Sequence, residues 1–170
     1  LDTKAKMLLH RHLSTLLLAV PALAAPHPHS KRASRTSAPE GCLTVSKDGS
    51  GTYSTIASAL SALGSSSSDA CIFIAAGTYQ EQLLIDYGGS LTIYGETTDT
   101  GSYKQNTVTI THTISSPESG SLVSSATVNA QMDDFAMYNV DVINGYGKGA
   151  QAVAYVFAFS PTFWGGFRAV

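Results

Sequence analysis

Charge is scarce in this 170-residue sequence, where 10 basic and 12 acidic side chains make up 13% of the total. Half of the cations sit at the front, as Lys4, Lys6, Arg11, Lys31 and Arg32. The remaining 138 residues hold 5 basic and 11 acidic side chains, a net of −6. A body so acidic, with its few cations scattered, excludes a general binder of the phosphate backbone. Long apolar runs are missing as well. Leu13 to Val20 is broken by Ser14 and Thr15, far short of the roughly 20 apolar residues that cross a bilayer. With two cysteines and no clustered histidines, a zinc site has no ligand set, and no other metal or cofactor is called for. The chain has no Gly-x-Ser-x-Gly, which leaves an α/β-hydrolase triad without its nucleophile turn. Its acidic pairs lack the spacing of a calcium loop. The glycine-rich run Gly145–Gly149 has a lysine but not the pattern of a phosphate loop, and reads as a connection between strands. His112, alone in an alternating stretch, reads as structural.

What is present begins with an address. Lys4, Lys6, His10, Arg11 and His12 precede the short apolar run, and Pro21-Ala22-Leu23-Ala24-Ala25 follows it. A basic flank, a brief apolar stretch and a small-x-small site spell a secretory signal peptide over residues 1–25, with Met7 as initiator and Leu1 to Lys6 upstream of it. Residues 26–32 form a Pro/His linker or pro-segment ending in the dibasic pair Lys31-Arg32, so the mature chain is expected to start near Ala33. Export favours a disulfide between Cys42 and Cys71 over two buried thiols. Closing that loop of about 30 residues stabilises by roughly 3–4 kcal/mol on the chain-entropy estimate. The protein is expected to be extracellular.

The body is rich in hydroxyls, with 22 Ser and 17 Thr. Ile56, Ala59, Leu60 and Leu63 fall at helical spacing, with Ser54 or Thr55 as cap and Gly64 as stop. After them come short β-type runs: Cys71–Ala75, Leu83–Ile85, Leu91–Tyr94, Val108–Ile110, Ala126–Val128 and Phe135–Ile143. Read as one strand, the last run puts Tyr138, Val140 and Val142 on one face and Met137, Asn139 and Asp141 on the other. Two architectures are compatible. A sandwich or barrel needs a hairpin turn every 8–12 residues. A parallel β-helix repeats at rung length, about 20 residues, without tight hairpins. Ile72 to Ile93 is 21 positions, Ile93 to Val108 is 15, Val108 to Val128 is 20 and Val128 to Val140 is 12. The spacings lie nearer to rungs.

Gly77-Thr78-Tyr79-Gln80-Glu81 matches a Gly-x-Tyr-x-Glu signature, and Gly149-Ala150-Gln151-Ala152-Val153-Ala154 contains Gln-Ala-Val-Ala. Between and around them lie Leu43-Thr44-Val45, Asp48–Ile56, Leu91–Thr97 and Asn106–Thr111. This ordered series, from Leu43 to Ala154, resembles the pectin methylesterases, the fungal type in particular, and assigns residues 33–154 to the N-terminal part of such a domain. The resemblance implies an all-β, right-handed parallel β-helix, here its N-terminal rungs with one short N-terminal helix. It implies hydrolysis of the methyl esters of polygalacturonate, releasing methanol, with pectin as the partner and a monomer when folded. In that family one Asp attacks the ester carbonyl and a second serves as acid and base, two Gln stabilise the oxyanion and an Arg orients the nucleophile. Such chemistry needs neutral donors where negative charge develops and two carboxyls of different pKa. Only Gln151 carries over, as an oxyanion and substrate-binding glutamine. Gly77, Tyr79 and Glu81 carry over as a scaffold beneath the cleft. Gln-Asp-Thr-Leu, Asp-Phe-Ile-Phe-Gly and Gly-Arg-Pro-Trp are absent, and Asp133-Asp134-Phe135 lies before Gln151, in the wrong order for a nucleophile motif. The expected alternatives are a catalytically inert or pectin-binding fragment and, behind it, a calcium-dependent lyase-like β-helix.

Residues 155–170 hold 6 of the 15 aromatics with a single charge. The family pattern stops at Ala154, which leads to the expectation of a truncated product with an atypical hydrophobic tail. A coil cut in that way presents unpaired strand edges that recruit other chains. Residues 33–170 are therefore expected to self-associate in size-exclusion chromatography, and a sharply melting monomer would overturn this.

Overall fold

The computed structural model describes residues 33–157 and the backbone of residues 168 and 169. Residues 1–32, where a signal segment and a linker are expected, lie outside the described residues. Eleven short strands are described: β1 (Leu43–Val45), β2 (Ala70–Ile74), β3 (Gly77–Gln80), β4 (Leu83–Ile85), β5 (Leu91–Gly95), β6 (Val108–His112), β7 (Val128–Ala130), β8 (Phe135–Tyr138), β9 (Val140–Asn144), β10 (Tyr155–Phe157) and β11 (Arg168–Ala169). They form three sheets of order β1-β2-β5-β8, β3-β6-β9-β11 and β4-β7-β10. Every pairing between these strands is parallel. Successive strands move from sheet to sheet, so β2-β3-β4, β5-β6-β7 and β8-β9-β10 are three turns of a parallel β-helix.

The register shows what the sequence spacings mean. Ile72 pairs with Ile93, so that interval of 21 is a true rung. Ile93, Val108 and Val128, by contrast, lie on three faces of one turn, because the next rung of Val108 is Val140 and that of Val128 is Tyr155. Those intervals measure the corners of the coil, whose length is free to vary. Inward residues stack in columns: Ile72, Ile93 and Met137; Tyr79, Ile110 and Val142; Ala70, Leu91 and Phe135. Most are fully buried, and each Leu or Ile so placed contributes about 1.5–3 kcal/mol.

The run Phe135–Ile143 is not one strand. Asn139 takes a left-handed conformation (φ 56) between β8 and β9 and turns the chain from one sheet to the next. The alternation therefore changes phase: Met137 is buried with Val140 and Val142, while Tyr138 faces outward. The Asn139 corner leans on Gly95, which pairs with Ile74 at the end of β5. A Cβ on Gly95 would run into the Asn139 carbonyl.

Helix α1 (Ile56–Leu63) starts at Thr55, whose hydroxyl accepts from the Ser58 N–H, and stops at Gly64. Its Ile56 and Ala59 are buried, and Leu60 and Leu63 pack on the core of the first turn. A further one-turn helix, α2 (Ser116–Ser119), lies in the loop between β6 and β7 with a reciprocal Ser115–Glu118 cap. The hydrogen bonds from Ser115 hold the Glu118 carboxyl below its usual range. Sequence periodicity could not show so short a helix.

Cys42 and Cys71 are joined, with Cα atoms 4.6 Å apart, which ties the segment before β1 to β2. On the outer face, Tyr94 and Tyr138 stack with ring centroids 5.6 Å apart. The Arg35 guanidinium lies 4.4 Å from the Tyr94 ring and donates to Asn139 Oδ1 at 3.1 Å. Burial lowers the Arg35 pKa from its ordinary value, against the raising influence of the two tyrosines. The tail does not leave the coil at residue 155: Tyr155 pairs with Val128, and Arg168 with Asp141. Phe159, Phe163, Trp164 and Phe167 lie outside the described residues. Among the described residues, no helix is long and apolar enough to cross a membrane.

Gly95→Ala is expected to cost about 1–3 kcal/mol or more, the range for forcing atoms into a packed site. Gly88→Ala, whose new Cβ would meet only the Ser66 carbonyl at 3.5 Å, serves as the control. Thermal melts of the two variants check this.

Candidate functional site

Two groups of residues stand out in the sequence, and the structure gives them different work. Gly77 opens β3 with φ 151, a conformation that a side chain would strain. Tyr79 is 2% exposed and donates its hydroxyl to the Ala75 carbonyl at 2.9 Å. Burial, with the charges of Asp48, Glu81 and Glu96 behind it, raises the Tyr79 pKa and keeps the phenol protonated. Glu81 reaches the start of α1, where Oε1 accepts from the Ile56 N–H and Oε2 from the Ala57 N–H, both at 2.9 Å. A carboxylate there satisfies two orphan donors and faces the positive end of the helix. Of the three, Glu81 is the one that joins the first turn to its helix.

Gln151 lies elsewhere. It is exposed in the loop between β9 and β10, on a groove of about 590 Å³ lined by Leu122, Ile143, Asn144, Gly147 and Ala152. None of Gly77, Tyr79 and Glu81 lines that groove. The Gln151 carbonyl accepts from the Ser116 N–H of α2 at 2.7 Å, so the backbone is held while the carboxamide faces solvent. The wall contributed by Leu122, Ile143 and Ala152 is apolar, and among the described residues no lining side chain carries a charge. Such a groove offers a neutral N–H donor beside an apolar wall, which suits an uncharged polar group on a ligand.

The remaining candidates take structural places. Asp134 (φ 38) ends a turn just before β8, and its backbone carbonyl accepts from the Leu91 N–H at 3.0 Å. His112 closes β6 opposite Asn144. Asp48 sits in the turn after β1, and the Ser46 hydroxyl, followed by Ser50, lowers its pKa to about 2. Asp141 accepts from Asn106 Nδ2 at 2.8 Å. Among the described residues, no group of three or more His, Cys, Asp or Glu is placed to hold a metal ion. Sequence reasoning passed over Asn144, whose side chain bonds to Ile114, Ser125, Tyr146 and Val153. The available signal was an Asn-Gly step at the end of an alternating strand.

Residues 42–160 match the Pectinesterase family model. The chain belongs to the pectinesterase family. It is 70% identical over 148 residues to Pectinesterase A of Emericella nidulans, covering 87% of this chain and 45% of that protein. Among solved structures, the pectin methylesterase of Aspergillus niger superposes with a TM-score of 0.71 at 62% identity, over 78% of this chain and 48% of that one. A pectin methylesterase in complex with a hexasaccharide superposes with a TM-score of 0.58 at 25% identity, over 71% and 40%. The chain thus spans about half the length, or less, of the pectinesterases it matches. Both signature segments, at Gly77–Glu81 and at Gln151, fall inside the matched region.

Glu81→Ala is expected to cost about 1–2 kcal/mol, as two helix-start N–H groups lose a charged acceptor. The expected signature in circular dichroism is a lower melting temperature. An unchanged melt would show that Thr55 alone suffices as the cap.

Proposed function

We propose that this chain serves in the hydrolysis of the methyl esters of polygalacturonate, outside the cell, with Gln151 as a neutral donor to the oxyanion. The observation that carries this reading is Gln151, exposed on a groove whose described lining is uncharged while its own backbone is fixed. A tetrahedral intermediate gains most from a donor already in place when charge develops. The pairing of a basic flank with a short apolar run near the N-terminus supports export. Pectin is the proposed partner, the functional form a monomer. Gly77, Tyr79 and Glu81 serve the fold of the coil, away from the Gln151 groove.

A second reading is favoured by one observation. The sequence has no Gln-Asp-Thr-Leu, Asp-Phe-Ile-Phe-Gly or Gly-Arg-Pro-Trp motif, so by itself the chain would bind methylated pectin without turnover. Methanol release from highly methylated pectin, with and without chelator, separates the readings. Methanol released in the presence of chelator supports the esterase. Retention on a pectin column without methanol supports the binder. Chain cleavage that a chelator stops would instead mark a calcium-dependent lyase.

The role of Gln151 is tested by grafting residues 33–157 into Pectinesterase A of Emericella nidulans in place of its matching segment. In an active graft, Gln151→Ala is expected to lower kcat by about 10²–10³, the range for losing one oxyanion donor. An unchanged kcat would remove Gln151 from the chemistry.

A further inference from the structure

The loop that carries Gln151 has little stiffness of its own. Between Asn144 and Gln151 it holds Gly145, Gly147 and Gly149, of which Gly147 (φ 79) and Gly149 (φ 123) have positive φ. Such residues leave the backbone many conformations, so the position of Gln151 depends on what ties the loop down. One tie is the bond from the Ser116 N–H to the Gln151 carbonyl. The others converge on a single side chain. Asn144 Oδ1 accepts from the Tyr146 N–H at 3.2 Å, near the start of the loop. Asn144 Nδ2 donates to the Val153 carbonyl at 3.1 Å, near its end. The same Nδ2 also lies within bonding distance of the carbonyls of Ile114 at 2.9 Å and Ser125 at 2.8 Å, on either side of α2, so its two hydrogens are shared among three acceptors. The helix that holds Gln151 is thus itself held by Asn144.

We infer that Asn144 is the positioning residue for Gln151: one carboxamide brackets the glycine-rich loop at both ends and fixes the opposing loop that completes the groove. This rests on the reading of Gln151 as an oxyanion donor and adds the residue through which that donor is aimed. A carboxamide suits the place because it both accepts and donates. Aspartate would lose the donor, and leucine would lose both. An oxyanion donor a fraction of an ångström out of place loses much of its effect, so a rigid tie behind it has a catalytic purpose.

Amide hydrogen exchange on the full chain tests the inference. In Asn144→Ala, the amides of Ser116, Tyr146 and Thr127, which bond to Gln151, Asn144 and Val153, are expected to exchange about tenfold faster, a net hydrogen bond's worth. The amides of Gly77, Glu81 and Leu91, bonded within the body of the coil, are expected to keep their rates. Equal acceleration everywhere would show a general stabilising role and overturn the assignment, as would no change at the loop. Should the variant fail to fold, the wild-type chain decides. The Asn144 carboxamide protons should exchange about tenfold more slowly than those of exposed Gln151, and equal rates would overturn the tie. Titrating the wild-type chain with a methylated oligogalacturonide separates the two levels of the argument. Shifts absent at Gln151 count against the proposed function, whereas the exchange pattern decides the role of Asn144.

Discussion

Backbone hydrogen bonds between parallel strands run along the axis of this coil, so each turn is held by its neighbours and very little by itself. Everything else follows from that constraint. Identical register from turn to turn aligns side chains into columns, and a column tolerates only residues whose shapes stack. Ile72, Ile93 and Met137 satisfy this with similar volumes. Corners, by contrast, need only close the circuit. The single residue Asn139 makes one corner, while the β6–β7 loop and the β9–β10 loop that carries Gln151 are far longer. The sheets are therefore uniform and the corners individual, and the candidate site is built from corners.

How much of this was legible in the sequence varies from element to element. The helix was readable because Ile56, Ala59, Leu60 and Leu63 repeat at one period and Thr55 and Gly64 bracket them. Strand runs were readable where alternation persisted. The break at Asn139 was not, because a one-residue corner shifts the phase of the alternation without interrupting its hydrophobic content, and only φ distinguishes it from a strand residue. Corner intervals such as Ile93 to Val108 were mistaken for rungs because both are simply distances between apolar positions. Periodicity has no means of telling one face from the next turn.

The site was legible as a motif, though its mechanics were not. Gln151 could be picked out by resemblance, but the residue that steadies it is separated from it by a glycine-rich loop, and its partners Ile114 and Ser125 come from another corner. Glu81 shows the converse. A carboxylate within a signature invites a catalytic reading, yet its two oxygens are taken up by the first N–H groups of α1. Hydrogen-bond partners distant in sequence decide both cases, and no local pattern contains them.

The arginine laid over the outer Tyr94 has a consequence for how the coil comes apart. A stack of repeats in contact only with its neighbours melts like a one-dimensional chain, fraying inward from whichever end is weakest. Here Arg35, which precedes the first strand, exchanges backbone bonds with Thr97 in the β5–β6 corner of the second turn. It also donates to Asn139 in the third turn, 104 positions along the chain. The third turn cannot loosen at that corner without giving up its hold on the segment that leads into the first. Loosening of the third turn at that corner is thereby coupled to the segment that leads into the first, a tie that contacts between neighbouring turns alone would not supply.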